Sequence, residues 1–164
     1  MAASGQPAQG IPLLTAGLEH QRALESTLYM PHGLAMLADA YRIGGAPEIG
    51  LAQISEAERL AEATEVKWVL AETLRLRGDL LAQTGDRMAA EASYRDGIAL
   101  AQRQDAKLFE LRAATSLARL WREQGQPAAA RDLLAPVYGW FTEGFDAPDL
   151  KEAKALLDQL GRAR

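Results

Sequence analysis

Glycine recurs in this chain at intervals of 40 residues, at Gly5, Gly45, Gly85 and Gly125. Glycine adopts the left-handed backbone conformation that ends many helices, and it does so without steric cost. Apolar residues keep helical spacing on both sides of Gly125, and Pro127 suits the first turn of a second helix. A fixed period of this length predicts a solenoid of helix pairs, because one pair alone cannot bury its apolar face.

Other positions repeat in step with these glycines. A small residue stands seven before each turn and a bulky one four before it, and small and bulky residues follow it at fixed distances. The columns are Ala38, Gly78 and Ala118; Tyr41, Leu81 and Trp121; Gly50, Ala90 and Ala130; Ile54, Tyr94 and Leu134; and Ala57, Gly97 and Val137. Small residues let helices approach closely while bulky ones fill the space between pairs. The alternative is an unrelated helical bundle in which the glycines coincide by chance.

These columns resemble the tetratricopeptide repeat, which combines a large–small pair, an aromatic residue, a turn glycine and further small and aromatic positions. The resemblance implies an all-α, right-handed solenoid of about seven to eight helices. Three departures stand out: the period is 40 instead of the usual 34, leucine is replaced by Arg77, and the closing proline is replaced by Glu62, Gln102 and Thr142. Longer helices would absorb the extra residues.

We expect one domain over residues 1–164. Its parts are a half repeat at 5–30, repeats at 31–70, 71–110 and 111–147, and a capping helix at 148–164. The letters GQPA at 5–8 reproduce those at 125–128, so the chain begins in the middle of a repeat. Either it is a fragment of a longer polypeptide or the half repeat is a natural cap. We also expect helices over about 8–29 and 65–84, with Trp68 in the core because it aligns with Leu28 and Leu108.

Composition and motifs argue against several functional classes. The chain has 18 basic and 22 acidic residues, which disfavours nucleic acid as a partner. It has no cysteine, and His20 and His32 lack zinc-ligand spacing, so we expect no metal and no cofactor. It contains no phosphate-binding glycine loop, no nucleophile elbow and no apolar run long enough to span a membrane. We therefore expect a protein that is not an enzyme.

A second resemblance covers more than half of the chain, from about Ala71 to Leu160. Segments such as AETLRLRGDLL and TEGFDAPDLKEAKALLDQL look like the C-terminal tail of bacterial multidomain signalling proteins. Those proteins join a class III adenylate/guanylate cyclase and a predicted ATPase domain to a tetratricopeptide tail. The resemblance implies a cytoplasmic bacterial protein whose catalytic activities, where they exist, lie in domains upstream of this segment.

In the tetratricopeptide family, functional residues line a concave groove formed by the first helix of each pair. Carried over by column, the groove positions are His32, Asp39, Arg42, Arg75, Asp79, Gln83, Arg112, Thr115, Arg119 and Arg122. Arginines at the spacing of the last repeat lie near one face and suit a carboxylate or an acidic peptide. The alternative is a solvated helix face that is partly neutralised by Glu110 and Glu123.

The leading hypothesis is a protein–protein interaction or oligomerisation module, with a protein or peptide partner or with self-association as a homodimer through the N-terminal half repeat. A second hypothesis is a sensor that encloses a small molecule and regulates a neighbouring catalytic domain. An enzyme would require Arg112, Arg119 and Arg122 to share a cleft with Asp79 and Glu123.

Overall fold

The computed structural model describes residues 7–25, 27–65 and 67–162. These residues confirm the all-α prediction: they form eight helices and no strand. The helices are α1 (Pro7–Ala23), α2 (Met30–Ile43), α3 (Pro47–Thr64), α4 (Leu70–Thr84), α5 (Arg87–Arg103), α6 (Lys107–Glu123), α7 (Pro127–Gly139) and α8 (Pro148–Arg162).

Consecutive helices pack against each other along the whole described chain. The even-numbered helices also contact one another in succession: α2 contacts α4, α4 contacts α6, and α6 contacts α8. Within the described ranges, no odd-numbered helix contacts another odd-numbered helix. The even-numbered helices therefore form one continuous layer. Each described odd-numbered helix packs on this layer without contacting another odd-numbered helix.

Residues with a left-handed backbone separate the first seven helices at regular intervals. They occur every 20 residues, at Glu25, Gly45, Glu65, Gly85, Asp105 and Gly125, with φ between 51° and 93°. At four of these turns the next residue donates its N–H to a carbonyl five residues back, as Gln126 does to Trp121 at 2.8 Å. This bond satisfies a carbonyl that the end of the helix leaves unpaired.

Small residues lie where the helices meet. Ala38, Gly78 and Ala118 are buried. A Cβ at Gly78 would lie less than 3.0 Å from three carbons of the Tyr94 ring, so glycine is what lets α5 pack closely on α4. Tyr94 is itself 3% exposed and belongs to the core between these helices.

The predicted helix boundaries differ most from the structure at the first and fourth helices. The first helix ends at Ala23 instead of about residue 29, and the fourth begins at Leu70 instead of about residue 65. In both places a glutamate, Glu25 or Glu65, has a positive φ that breaks the helix. The predicted turn at Gly5 lies outside the described residues.

The prediction that Trp68 belongs to the core was wrong. The residue lies in the turn before α4 and is 45% exposed, and the aligned residues Leu28 and Leu108 are 54% and 42% exposed. Leu28 and Trp68 precede their helices and Leu108 is the second residue of α6, so the column lies at the start of the helix instead of on its buried face. Alignment with leucine therefore indicated an apolar position but not a buried one.

No helix in the described ranges is both long enough and apolar enough to cross a membrane.

Candidate functional site

The even-numbered helices form a polar cavity of about 360 Å³, here called the central cavity. All of its lining residues belong to α2, α4, α6 and α8, and none belongs to an odd-numbered helix. They are Arg42, Glu72, Arg75, Asp79, Arg112, Thr115, Ser116, Arg119, Asp149 and Glu152. The cavity thus lies on the layer of even-numbered helices, and all four of these helices contribute to its lining.

Arg75 is the most heavily paired charge in the central cavity. Its guanidinium donates to both oxygens of Glu72 and, at 2.5 Å, to Asp79, and its side chain is only 16% exposed. Burial alone would lower the pKa of Arg75, but Asp79 and Glu72 outweigh it and raise the pKa above its ordinary value. Arg75 therefore stays charged and orders the carboxylates around it.

Tyr94 extends this network towards α5. Its hydroxyl donates to Asp79 at 2.8 Å. Burial raises the pKa of Tyr94 well above its ordinary value, and the negative charge of Asp79 raises it further. The tyrosine is thus neutral near pH 7 and serves as a hydrogen-bond donor that holds Asp79 in place.

Arg112 connects three helices of the layer. It donates to both carboxylate oxygens of Asp149 on α8, at 2.9 and 3.0 Å, and its other terminal nitrogen lies 3.6 Å from Glu72 on α4. Hydrogen bonding to Asp149 raises the pKa of Arg112. A two-pronged pair of this kind fixes orientation as well as distance, so Arg112 positions the start of α8.

The other two arginines of α6 also bind α8. Arg119 pairs with Glu152, and Arg122 donates to Gln159. The alternative of a solvated helix face had Glu110 and Glu123 partly neutralising these arginines, but Glu110 binds Lys107 and Gln102. All three arginines of α6 thus bind side chains of α8, two through ion pairs and one through a hydrogen bond. The sequence had not indicated that α8 packs against this face of α6.

A second, more apolar cavity of about 250 Å³ adjoins the first, and we call it the aromatic pocket. It shares Glu72, Arg75 and Arg112 with the central cavity, so the two cavities adjoin, and we call them together the groove. The remaining lining residues come from α2, the turn before α4, α4 and α6: His32, Ala35, Met36, Asp39, Trp68, Val69, Leu76 and Phe109. Met36 and Trp68 are each 45% exposed, and the His32 ring packs 5.3 Å from that of Trp68.

The structure brings eight of the ten predicted groove residues to these two cavities. Arg42, Arg75, Asp79, Arg112, Thr115 and Arg119 line the central cavity, whereas His32 and Asp39 line the aromatic pocket. Gln83 instead donates to the Arg42 carbonyl, and Arg122 is turned towards Gln159. The Thr115 hydroxyl bonds the carbonyl of Leu111 in its own helix.

The lining residues that sequence reasoning missed include Glu72 on α4, Ser116 on α6 and two further groups. Met36, Trp68 and Phe109 supply the apolar surface of the groove, and Asp149 and Glu152 supply its far wall. The second group lies in the predicted capping helix, and Asp149 and Glu152 are 37 and 33 residues from the arginines that they bind, which does not match the 40-residue period. Trp68 lies in the turn that follows Glu65, outside a helix, so helical spacing does not predict whether its side chain is buried.

The structure brings together only some of the residues that were named above for an enzyme. Arg112, Arg119 and Asp79 share the central cavity, and a smaller adjoining space of about 170 Å³ adds Glu123, but Arg122 points to α8. A general acid or base works best with a pKa near neutrality. The pKa values of Arg75, Tyr94 and Arg112 all move upward, away from neutrality. Among the described residues, no three acidic or histidine side chains cluster as a metal site would require.

Comparison with protein-family models gives no match to this chain, and comparison with curated proteins gives no significant one. The two resemblances therefore rest on the repeated columns and on the quoted segments alone.

Proposed function

We propose that the chain is a tetratricopeptide-like solenoid whose even-numbered helices line a concave recognition groove. In this proposal α2–α3, α4–α5 and α6–α7 are the repeated pairs, α1 is a half repeat, and α8 closes the far end. Three observations support it: the 20-residue spacing of left-handed turns, the continuous layer of even-numbered helices, and the lack of contacts among the described odd-numbered ones. Stacking pairs that touch on one side only produces a curved surface.

The function that this groove supports best is the binding of a protein segment. The observation that carries the proposal is that both cavities are lined only by the even-numbered helices and the turn before α4, and that they share three lining residues. A groove that continues across four helices suits an extended or helical segment better than a single small molecule.

The pairing of charges in the central cavity supports an apolar anchor on the partner. Arg75, Arg112 and Arg119 are already held by carboxylates of this chain, so a ligand carboxylate would have to displace them. Met36 and Trp68 are instead about half exposed, and neither belongs to a hydrophobic core cluster of the described residues. We infer that the partner inserts an apolar or aromatic side chain into the aromatic pocket and lays polar groups along the central cavity.

The setting that we propose is a cytoplasmic bacterial signalling protein in which this segment is a non-catalytic tail. The resemblance of residues 71–160 to the tails of cyclase–ATPase proteins supports this setting. Binding at the groove would then recruit a regulator to the catalytic domains of the same polypeptide.

A small-molecule sensor is the second candidate, and the volume of the central cavity favours it. About 360 Å³ lies within the range of roughly 300–1,000 Å³ that is common for ligand sites. A thermal-shift screen of metabolites separates the two functions. Saturable stabilisation by a metabolite at low micromolar concentration supports the sensor, and stabilisation only by peptides supports the interaction module.

The proposed function is tested by selecting binders from a random-peptide display library and measuring their affinity by calorimetry. We expect selected peptides to share an apolar or aromatic residue. Trp68→Ala should weaken binding about 30-fold or more, as is common when a tryptophan that the partner would bury at the centre of an interface is truncated. The matched control is Trp140→Ala, which removes another exposed tryptophan, at the C-terminal end of α7, and should leave affinity unchanged. Failure to select any binder, or equal losses in both variants, would overturn the proposal.

A further inference from the structure

A separate cavity of about 400 Å³ lies away from the groove, and we call it the Trp140 cavity. Its lining residues come from α5, the first turn of α6, α7 and Trp140, which directly follows α7. None of them lines the central cavity or the aromatic pocket. The volume lies within the range of roughly 300–1,000 Å³ that is common for ligand sites.

Glu110 brings a buried carboxylate to the Trp140 cavity, and the other repeats have no charge at its position. Glu110 is 4% exposed. Forty residues earlier stands Leu70, which is half-buried, and forty before that stands Met30, which is buried. Burying a carboxylate costs free energy that an apolar side chain does not incur. Because apolar side chains serve the packing at the other two positions, Glu110 is best explained by a cation that it binds.

The chain places an ammonium group of its own beside this carboxylate. Lys107 Nζ donates to one oxygen of Glu110 at 2.7 Å, and Gln102 donates to the other at 2.9 Å. The same Nζ lies over the Trp140 ring, 5.7 Å from its centre. A carboxylate and an indole face together attract ammonium ions. The Lys107 side chain is 31% exposed, so its ammonium can move into water and leave this place to a ligand.

Asp132 supplies a second carboxylate to the Trp140 cavity. It is exposed, and it forms no ion pair with another residue in the described ranges. It precedes Trp140 by eight residues, or about 12 Å along a helix axis. Leu133 and Val137 lie between them in the chain and form an apolar wall of the cavity. The two carboxylates outnumber the single ammonium of Lys107, so the cavity carries a net negative charge.

We propose that the Trp140 cavity binds a linear alkyl diammonium ion. One ammonium group takes the place of the Lys107 ammonium beside Glu110. The other pairs with Asp132, and the alkyl chain lies along the apolar wall. Exchanging one ammonium for another keeps the buried carboxylate paired, which avoids the cost of leaving it alone. The proposal does not depend on the proposed function, because the groove and this cavity share no lining residue.

Calorimetric titration of the full chain with linear diamines of four to eight carbons tests the proposal. We expect saturable binding that is strongest at one chain length and weaker by about tenfold or more for the monoamine of equal length. Asp132→Asn and Glu110→Gln should each weaken binding about tenfold or more, whereas Lys107→Ala should strengthen it by removing the competing ammonium. Because Asp132 is exposed, Asp132→Asn should fold even where Glu110→Gln does not.

The control variant is Glu48→Gln, which removes an exposed carboxylate on α3 and should leave the affinity unchanged. It shows whether the diamine responds only to the net charge of −4 of the chain. In NMR spectra of the ¹⁵N-labelled chain, the diamine should shift the indole N–H of Trp140 and leave that of Trp68 in place. Absence of saturable binding, equal affinities for diamine and monoamine, an equal loss in Glu48→Gln, or a shift at Trp68 alone would overturn the proposal.

Discussion

Gly78 and Tyr94 act together where α4 and α5 meet. The glycine gives the tyrosine ring room to lie against the α4 backbone, and the ring carries its hydroxyl to Asp79. Asp79 is bonded to Arg75, so one glycine indirectly supports the charged wall of the central cavity. Packing and groove chemistry therefore depend on the same residues.

Replacing Gly78 by alanine should destabilise the chain in spite of the higher helix propensity of alanine. The new methyl group would overlap the Tyr94 ring, and overpacking of this kind costs about 1–3 kcal/mol. Urea denaturation followed by circular dichroism measures the effect. Gly161→Ala on α8 is the control, because a Cβ there meets nothing within 4 Å. Equal stability of the two variants would show that the space at Gly78 is not needed.

The raised pKa of Tyr94 predicts a loss of stability at alkaline pH. An unfolded tyrosine has a pKa of about 10, and the folded pKa is higher. The stabilisation is therefore complete below about pH 10 and is lost as the pH rises above that value, where the unfolded state releases its proton first. Tyr94→Phe should be less stable by about 1 kcal/mol near pH 7, because it loses one hydrogen bond, but its stability should fall less between about pH 10 and 11.

The measurement for Tyr94 is the unfolding free energy of both chains across this pH range. Tyr29→Phe serves as the control, since Tyr29 is 56% exposed. Curves for the native chain and Tyr94→Phe that stay parallel up to pH 11 (about one unit above the ordinary tyrosine pKa) would contradict the account.

At the scale of elements, α8 combines an apolar side with polar bonds to α6. Leu150, Ala153, Leu156 and Leu160 are buried, and the polar side chains reach Arg112, Arg119 and Arg122. The apolar side supplies most of the free energy of packing, while the ion pairs fix the position of the helix on α6. The helix is both the end of the layer and one wall of the central cavity.

Arg112→Ala should loosen α8 without unfolding the rest of the chain. It removes the two-pronged bond to Asp149, and for a partly exposed pair we expect a cost of about 1–2 kcal/mol. Amide hydrogen exchange in α8 should quicken accordingly while that in α2–α4 is unchanged. Arg59→Ala breaks an exposed pair within α3 and is the control. Uniform quickening across all helices would contradict a local role for Arg112.

The helices themselves were largely predictable from sequence, and the reason is visible at their ends. Gly45, Gly85 and Gly125 have the positive φ that their residue type favours. The alternate turns use Glu25, Glu65 and Asp105. Sequence rules do not single out glutamate for a left-handed backbone, and aspartate adopts it only occasionally. The turns at Glu25 and Glu65 were therefore placed less well, and the first helix was drawn about six residues too long.

At the scale of the whole molecule, most of the groove was predictable and its chemistry was not. Column alignment identified eight residues that line the two cavities, because an even-numbered helix repeats its inner face every 40 residues. Alignment carries no information on which charges pair across helices. Arg112 and Arg119 were expected to bind a ligand's carboxylate, but they form ion pairs with Asp149 and Glu152 of α8. Because Trp68 is exposed, we place the main contact with the partner in the aromatic pocket.

The most direct measurement of the central claim is a titration of the ¹⁵N-labelled chain with a display-selected peptide, followed by two-dimensional NMR. The groove account predicts that the indole N–H of Trp68 and the amides of α2, α4 and α6 shift, while the indole N–H of Trp140 and the amides of α3 and α5 do not. Shifts confined to the odd-numbered helices would contradict the account, because the bound segment would then lie outside the layer that forms both cavities.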